Sequence, residues 1–379
     1  MFSLPSFRIG RLFGIPLEVN ISWLLVFVLV VVALAFSYFP QPGVLPGQPV
    51  LTNLLLGLVT ALLFFASVIA HEFAHSLVAR AQGARIARIT LFIFGGVSEM
   101  EDEPARPGQE FVMAIAGPGT SILLSAVFFV ADGVLSTAGA PPILTAPIAY
   151  LAGINLLLGI FNLLPGFPMD GGRVLRSVLW GATHDLLKAT RWASRAGQAI
   201  GYSMVAVGVF GVLGIIPGGI DLVWLAFLGW FLAGLAESSY QQQVVKSRLS
   251  HVALSSVMTS PVLVAPGEID LETMVDGYFL GRRHSRYPIA VNGELVGMLS
   301  LAQAKNVPRE RWPDTRAADV ADKDLSRLVV PASASVDRVM ERLVGGGPGA
   351  VLVVDPSGEL AGIVTRTDLI HALQSGAGM

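Results

Sequence analysis

The chain contains no cysteine. Disulfides and thiolate metal sites are therefore excluded, and any metal must be held by His, Asp or Glu. Charge is scarce too: 14% of the 379 residues are Asp, Glu, Lys or Arg, against roughly 25% in soluble chains. The few charges nearly cancel, to a formal −2, so there is no basic field for nucleic acid. Lys and Arg are missing altogether from 12–79, 107–172 and 197–245. With 53% of residues hydrophobic, the class is an integral membrane protein. No cleavable signal is expected, because the first apolar run is too long for one and lacks a small-residue cleavage site after it.

Long apolar runs are what the chain has instead. A hydrocarbon core about 30 Å thick needs about 20 apolar residues per helix. Six runs meet that length, at about 19–39, 52–80, 110–131, 145–164, 198–217 and 221–237. Cations flank them on one side only: Arg8 and Arg11 before the first, Arg80 to Arg106 between the second and third, Arg173 to Arg195 between the fourth and fifth, Lys246 and Arg248 after the sixth. The opposite loops, near 40–50, 132–144 and 217–220, hold neither Lys nor Arg. The positive-inside rule then places both termini in the cytoplasm.

The segment 89–97, Ile-Thr-Leu-Phe-Ile-Phe-Gly-Gly-Val, is too short to span and rich in β-branched and aromatic residues. It reads as a strand or hairpin at membrane depth, or as a plain amphipathic connector. The expected fold is thus an α-helical polytopic membrane protein with six spans and a small embedded β element. After about Glu237 the composition becomes that of a soluble protein. Boundaries are expected at 1–237 for the membrane domain, 238–250 for a polar linker and 251–375 for a soluble α/β part.

Within the second run stands His71-Glu72-Phe73-Ala74-His75. Residues four apart on a helix share one face, about 6 Å apart along the axis. Two imidazoles at that spacing can hold one Zn²⁺, while Glu72 points beside it and can move a proton. Three ionisable groups in one turn of an apolar span are costly unless they serve a function. A catalytic zinc site takes a third protein ligand. Asp170 is the only acidic residue between Asp132 and Asp185, in a segment that Pro165, Pro168 and three glycines break. It could turn its carboxylate inward as that ligand, or cap a helix beginning near Gly172.

The two motifs together, His71-Glu72-Phe73-Ala74-His75 and Asn162-x-x-Pro165-x-x-x-x-Asp170-Gly171-Gly172, resemble the site-2 protease family of intramembrane metalloproteases. The resemblance covers about 6–237 and includes Gly117-Pro118-Gly119 in the third run. It implies that His71, His75 and Asp170 bind zinc, that Glu72 is the acid/base, and that Asn162 positions substrate or supports the developing oxyanion. Many members carry a His where this chain has Asn20. A single-span membrane protein is the implied substrate, its peptide bond reached only after local unwinding. Phe94, Gly95 and Gly96 are then placed to receive the unwound strand by β-addition. The implied setting is a multi-pass protein in contact with the lipid of a bacterial plasma membrane.

Residues 251–375 repeat themselves, as about 251–310 and 315–375. Tyr287 to Val291 followed by Gly297-Met298-Leu299-Ser300 matches Gly349 to Asp355 followed by Gly362-Ile363-Val364-Thr365. This looks like a tandem pair of cystathionine-β-synthase (CBS) domains, which often bind adenine nucleotides and can dimerise. On that resemblance Thr365 and Asp368 hold a ribose; in the first half Gln303 replaces the acid. Thr365 can equally be a helix cap. Arg282, Arg283, His284 and Arg286 form a small basic cluster, suited to phosphates or to a solvated loop. Two other functions fit such a tail: a transporter gated by the CBS pair, and a catalytically silent membrane scaffold.

Overall fold

The computed structural model describes residues 6–92, 95–100, 104–249, 252–281, 284–334 and 349–374, with Val336, Val339 and Leu343. Phe94, Arg282 and Arg283 lie outside the described residues. The chain divides into two compact units, Met1–Gln242 and Gln243–Met379.

The first unit opens with a hairpin, β1 (Ser6–Leu12) and β2 (Ile15–Asn20). Helix α1 (Ile21–Ala33) starts directly after it and continues through a wider turn at Leu34–Tyr38. Asn20 caps α1: its side-chain oxygen accepts from the Ser22 N–H at 3.0 Å, satisfying one of the helix's otherwise unpaired donors. The residue that departs from the family pattern therefore has a structural role.

Helix α2 (Val50–Ala81) follows, at 32 residues about 48 Å long. The hairpin β3 (Ile86–Phe92) and β4 (Gly95–Met100) comes next, then α3 (Pro107–Thr137) and α4 (Pro142–Asn162). Pro165 and Pro168 cannot continue a helix, and α5 (Asp170–Thr183) resumes only after a break. Helix α6 (Leu186–Val212) and the part of α7 (Val223–Leu249) up to Gln242 complete the unit. Residues 238–249, expected as linker, extend α7.

Among the described residues, five helical segments are long and apolar enough to cross a membrane: Ile21–Tyr38, Val50–Ala81, Pro107–Thr137, Pro142–Asn162 and Gly219–Arg248. The expected run 198–217 falls on α6, whose first turns carry Lys188, Arg191 and Arg195. The outer surfaces are apolar, with Leu29 66% and Phe129 72% exposed, as suits side chains facing lipid.

The four strands form one sheet in the order β1-β2-β3-β4. The strand-or-hairpin reading of 89–97 is met as an antiparallel pair, the segment dividing between β3 and β4: β3 is interior, paired parallel to β2 (Leu17↔Ile89, Val19↔Leu91) and antiparallel to β4 (Leu91↔Gly96). The edge on this side is β4. Ile15 and Ile89 pack on Phe73, so the sheet rests on α2 between the two histidines.

The second unit repeats one topology twice. Strands β5 (Ala265–Pro266), β6 (Arg286–Val291) and β7 (Glu294–Ser300) form one sheet. Strands β8 (Val329–Pro331), β9 (Ala350–Val354) and β10 (Leu360–Thr365) form the other. Each has a parallel pair followed by an antiparallel hairpin. Val252 and Leu254 pack into the core beneath β8, β9 and β10, and Thr259 bridges to Ile363. The start of the unit thus belongs to the second repeat's core.

Candidate active site

Helix α2 brings His71 and His75 to its buried face, 4% and 8% exposed. Their Nε2 atoms stand 3.3 Å apart. Asp170, at the first residue of α5, places Oδ2 at 3.1 Å from His71 Nε2 and 3.2 Å from His75 Nε2. The carboxylate does not cap its helix; the N-cap position is Met169, with no side-chain cap bond.

Helix α3 fixes both rings from behind. His75 Nδ1 donates to the Met113 carbonyl at 2.7 Å, which can only accept, so the neutral ring turns a lone pair towards Asp170. His71 Nδ1 bonds the Ser121 hydroxyl at 2.9 Å. Backing of this kind sets the tautomer of a metal-ligating histidine and raises its basicity. With both Nδ1 atoms protonated, three lone-pair-bearing atoms face one point and repel unless a cation sits among them.

The spacing of the three atoms tests which cation fits. Ligands about 2.0–2.1 Å from a tetrahedral zinc stand about 3.3 Å from one another. The observed separations, 3.1–3.3 Å, match that edge length. His71, His75 and Asp170 form the one group of three or more potential ligands among the described residues, and nitrogen–nitrogen–carboxylate is a donor set suited to zinc.

The histidines leave no room for a side chain on the facing turn of α3. A Cβ at Gly117 would lie 2.6 Å from His71 Nε2 and nearer still to His75 Nε2. Gly117→Ala should therefore push both rings off their positions. The expected loss is at least the roughly 10–100-fold in metal affinity that follows disturbance of a ligand's support. Zinc content after dialysis, measured by atomic emission, checks this; a wild-type value would show that the rings tolerate the methyl group.

Glu72 lies half-buried on the neighbouring face of α2, beneath β4. A Cβ at Gly96 would collide with the Glu72 side chain, 3.0 Å from its carboxyl carbon. Ser76 ties the same strand down, sharing a 2.9 Å hydrogen bond with Ser98. Edge strand and acid/base candidate are in direct contact. Gly95 begins β4.

Asn162 holds a local backbone contact. It ends α4, and its amide donates to the Leu158 carbonyl at 3.0 Å. In the second unit, Thr365 donates through N–H and hydroxyl to Asp368 Oδ2 at 2.8 and 2.7 Å, and Thr259 donates to Asp368 Oδ1 at 3.3 Å. Ser300 and Gln303 make a capping box at the equivalent turn. Both pairs therefore act as helix caps in this structure.

Sequence reasoning missed the Met113 carbonyl, Ser121 and a buried Glu110–Arg176 ion pair. A backbone carbonyl leaves no trace in composition. Ser121 stands one turn after Gly117, and Glu110 and Arg176 are opposite charges at the ends of apolar stretches; those positions were the available signals.

Comparison with known proteins gives the family. Residues 59–139 and 136–207 match the model of peptidase family M50, and 254–306 and 317–375 match the CBS domain. A Synechocystis protein named as a zinc metalloprotease is 36% identical over 379 residues, covering 99% of this chain and 97% of the relative. Rip3 of Mycobacterium tuberculosis, also named as a zinc metalloprotease, is 36% identical over 96% of this chain and 92% of its own. A solved site-2 protease from Methanocaldococcus jannaschii is 30% identical, covering 62% of this chain and 95% of that one, at a TM-score of 0.43. The chain belongs to peptidase family M50, the site-2 proteases, as a membrane-embedded zinc metalloprotease carrying two CBS domains.

Proposed function

We propose that this protein hydrolyses a peptide bond in or near the transmembrane segment of a single-span membrane protein, and so carries out regulated intramembrane proteolysis. The observation that carries the reading is the convergence of three ligand atoms at tetrahedral spacing, two of them on buried histidines and the third on half-buried Asp170, beside Glu72, inside a bundle of apolar helices. His71, His75 and Asp170 hold zinc, which when bound supplies a Lewis acid for the scissile carbonyl and for water. Met113 and Ser121 hold the imidazoles in the ligating tautomer. Glu72 accepts the proton that attacking water gives up and delivers it to the leaving amine. Asn162 stands at the mouth of the broken helix, where it orients the substrate backbone. Mass spectrometry of membrane peptides from cells making the wild-type protein and Glu72→Gln tests the reading; identical peptide sets would defeat it.

A peptide bond in an intact helix is hydrogen-bonded and shielded, so the substrate must unwind first. The edge of β4, from Gly95 and Gly96 onward, receives it by strand addition, against Glu72. The cysteine-free chain allows a clean test. Val97, 44% exposed, becomes the sole cysteine in Val97→Cys on a Glu72→Gln background. Disulfides to cysteines scanned along the substrate should then follow a two-residue period, as strand pairing requires. A 3.6-residue period, or no cross-link, would rule out addition at this strand.

The one-sided cations support six spans with both termini cytoplasmic and the zinc site near the cytoplasmic face, and the relatives from Synechocystis and Mycobacterium support a bacterial plasma membrane as the setting. The CBS pair regulates the protease as a nucleotide sensor or a dimerisation surface. Arg286, the last of the basic cluster, supports the first role. Its guanidinium lies against Gly349 of the other repeat. Burial, and then the nearby Arg366 charge, lowers its pKa from the ordinary arginine value, and an anionic phosphate placed there would favour the charged form. Thr365 and Asp368 sit one residue to either side of Arg366 and Thr367, and hold the ribose of an adenine nucleotide.

A further inference from the structure

Glu110 and Arg176 lie outside the ligand set, yet they form an ion pair largely withdrawn from solvent inside the membrane unit. Glu110, in the first turn of α3, is 1% exposed, and the Arg176 side chain 14%. Arg176 Nε donates to Glu110 Oε1 at 2.7 Å, and an Nη nitrogen donates to the same oxygen. The guanidinium also lies over the Phe167 ring, 5.2 Å from its centroid. Phe167 is itself packed between Ala193 of α6 and Ala236 of α7.

Burying two charges in so apolar a bundle is a poor way to stabilise it. Apolar residues of similar volume usually do as well or better. What the pair supplies is a fixed geometry, and its place in the chain shows for what. Glu110 stands one turn before Met113, whose carbonyl orients His75. Arg176 stands on α5 six residues after Asp170, and Phe167 three residues before it. Helix α3 holds the two histidines through Met113, Ser121 and the gap at Gly117. The third ligand arrives on α5, after a break in the chain. The ion pair joins α3 to α5 at that junction, and contact between Pro107 and Gly181, 3.7 Å from a Cβ placed at the glycine, continues the seam.

We infer that Glu110 and Arg176 are positioning residues for the metal: they lock the helix carrying Asp170 to the helix that orients His71 and His75. The inference rests on the zinc assignment proposed above and does not require that the protein cleave anything.

The test uses full-length protein in detergent, with zinc affinity measured by chelator competition and the visible absorption of the Co²⁺-substituted protein recorded alongside. Arg176→Gln and Glu110→Gln should each weaken zinc by about 10–100-fold, as loss of a ligand's supporting contacts does, and should alter the Co²⁺ band. The charge-reversed double variant Glu110→Arg/Arg176→Glu should recover most of both. Arg176→Lys keeps the charge but loses the two-nitrogen fork, so it should fold and still bind zinc more weakly than wild type. Wild-type affinity and an unchanged band in folded Arg176→Gln, or in Arg176→Lys if the former does not fold, would overturn the inference. Failure of the proteolytic reading would show differently, as unchanged cleavage by Glu72→Gln whatever the zinc results.

Discussion

Replacing Glu72 with glutamine should leave zinc bound and reduce cleavage by about 10²–10⁴-fold, the usual contribution of a positioned general acid/base. The substitution is nearly isosteric, and the site needs that. Glu72 fills the space beneath Gly96, so a smaller residue would let β4 collapse and confuse a chemical loss with a packing one. Glutamine keeps the volume and the strand's position but cannot take up a proton. The backbone carbonyl of residue 72 still accepts from the Ser76 hydroxyl at 2.9 Å, so the helix is undisturbed. None of the converging ligand atoms belongs to Glu72, and zinc per chain should stay at the wild-type value. Turnover of a single-span substrate by purified protein, with zinc measured on the same samples, checks both halves. A loss of less than about tenfold would assign the proton transfer to another group.

Asp170→Ala should fail in the opposite way, losing the metal first and the activity with it. Structural zinc sites of four protein ligands bind with about 10–16 kcal/mol. One ligand is then worth about 3 kcal/mol, or roughly 100-fold in affinity. The loss should be no smaller here. The carboxylate pairs with both Nε2 atoms, and the remaining pair of imidazoles offers a neutral, two-toothed site. Dialysis against a chelator should strip zinc from Asp170→Ala under conditions where wild type and Glu72→Gln retain it. Retention by Asp170→Ala would mean that another group completes the donor set.

Much of this site was legible because its parts are expensive in a membrane. His71, Glu72, His75 and Asp170 interrupt runs that otherwise lack charge, and Pro165 and Pro168 mark where a helix must break. The CBS repeat was legible because each half encodes the same parallel pair and hairpin. What stayed hidden depends on groups far apart in the chain. The parallel pairing of β2 with β3 joins Leu17 to Ile89, and no local pattern announces it; that pairing makes β3 interior and leaves β4 as the edge. Met113 contributes through its carbonyl, so its side chain carries no signal. Gly117 matters only because two rings happen to face it. Residues 238–249 read as a linker by polarity, but Gln241, Gln242, Gln243 and Lys246 are good helix formers, and α7 runs on through them.

The open edge of β4 bears on how such an enzyme chooses what to cut. Strand addition reads main-chain N–H and C=O groups, which every residue but proline presents alike. Two of the first residues of that strand, Gly95 and Gly96, have no side chains with which to discriminate. Under the strand addition proposed above, selectivity would come largely from the substrate's own helix, through the free energy needed to open a turn of it at the depth of the zinc. A glycine in that turn lowers the cost by about 1 kcal/mol relative to alanine, and a proline by about 3, which correspond to several-fold and more than 100-fold differences in the fraction opened. On this view the protease sorts membrane proteins by local helix stability, and a substrate is recognised by where it is weak.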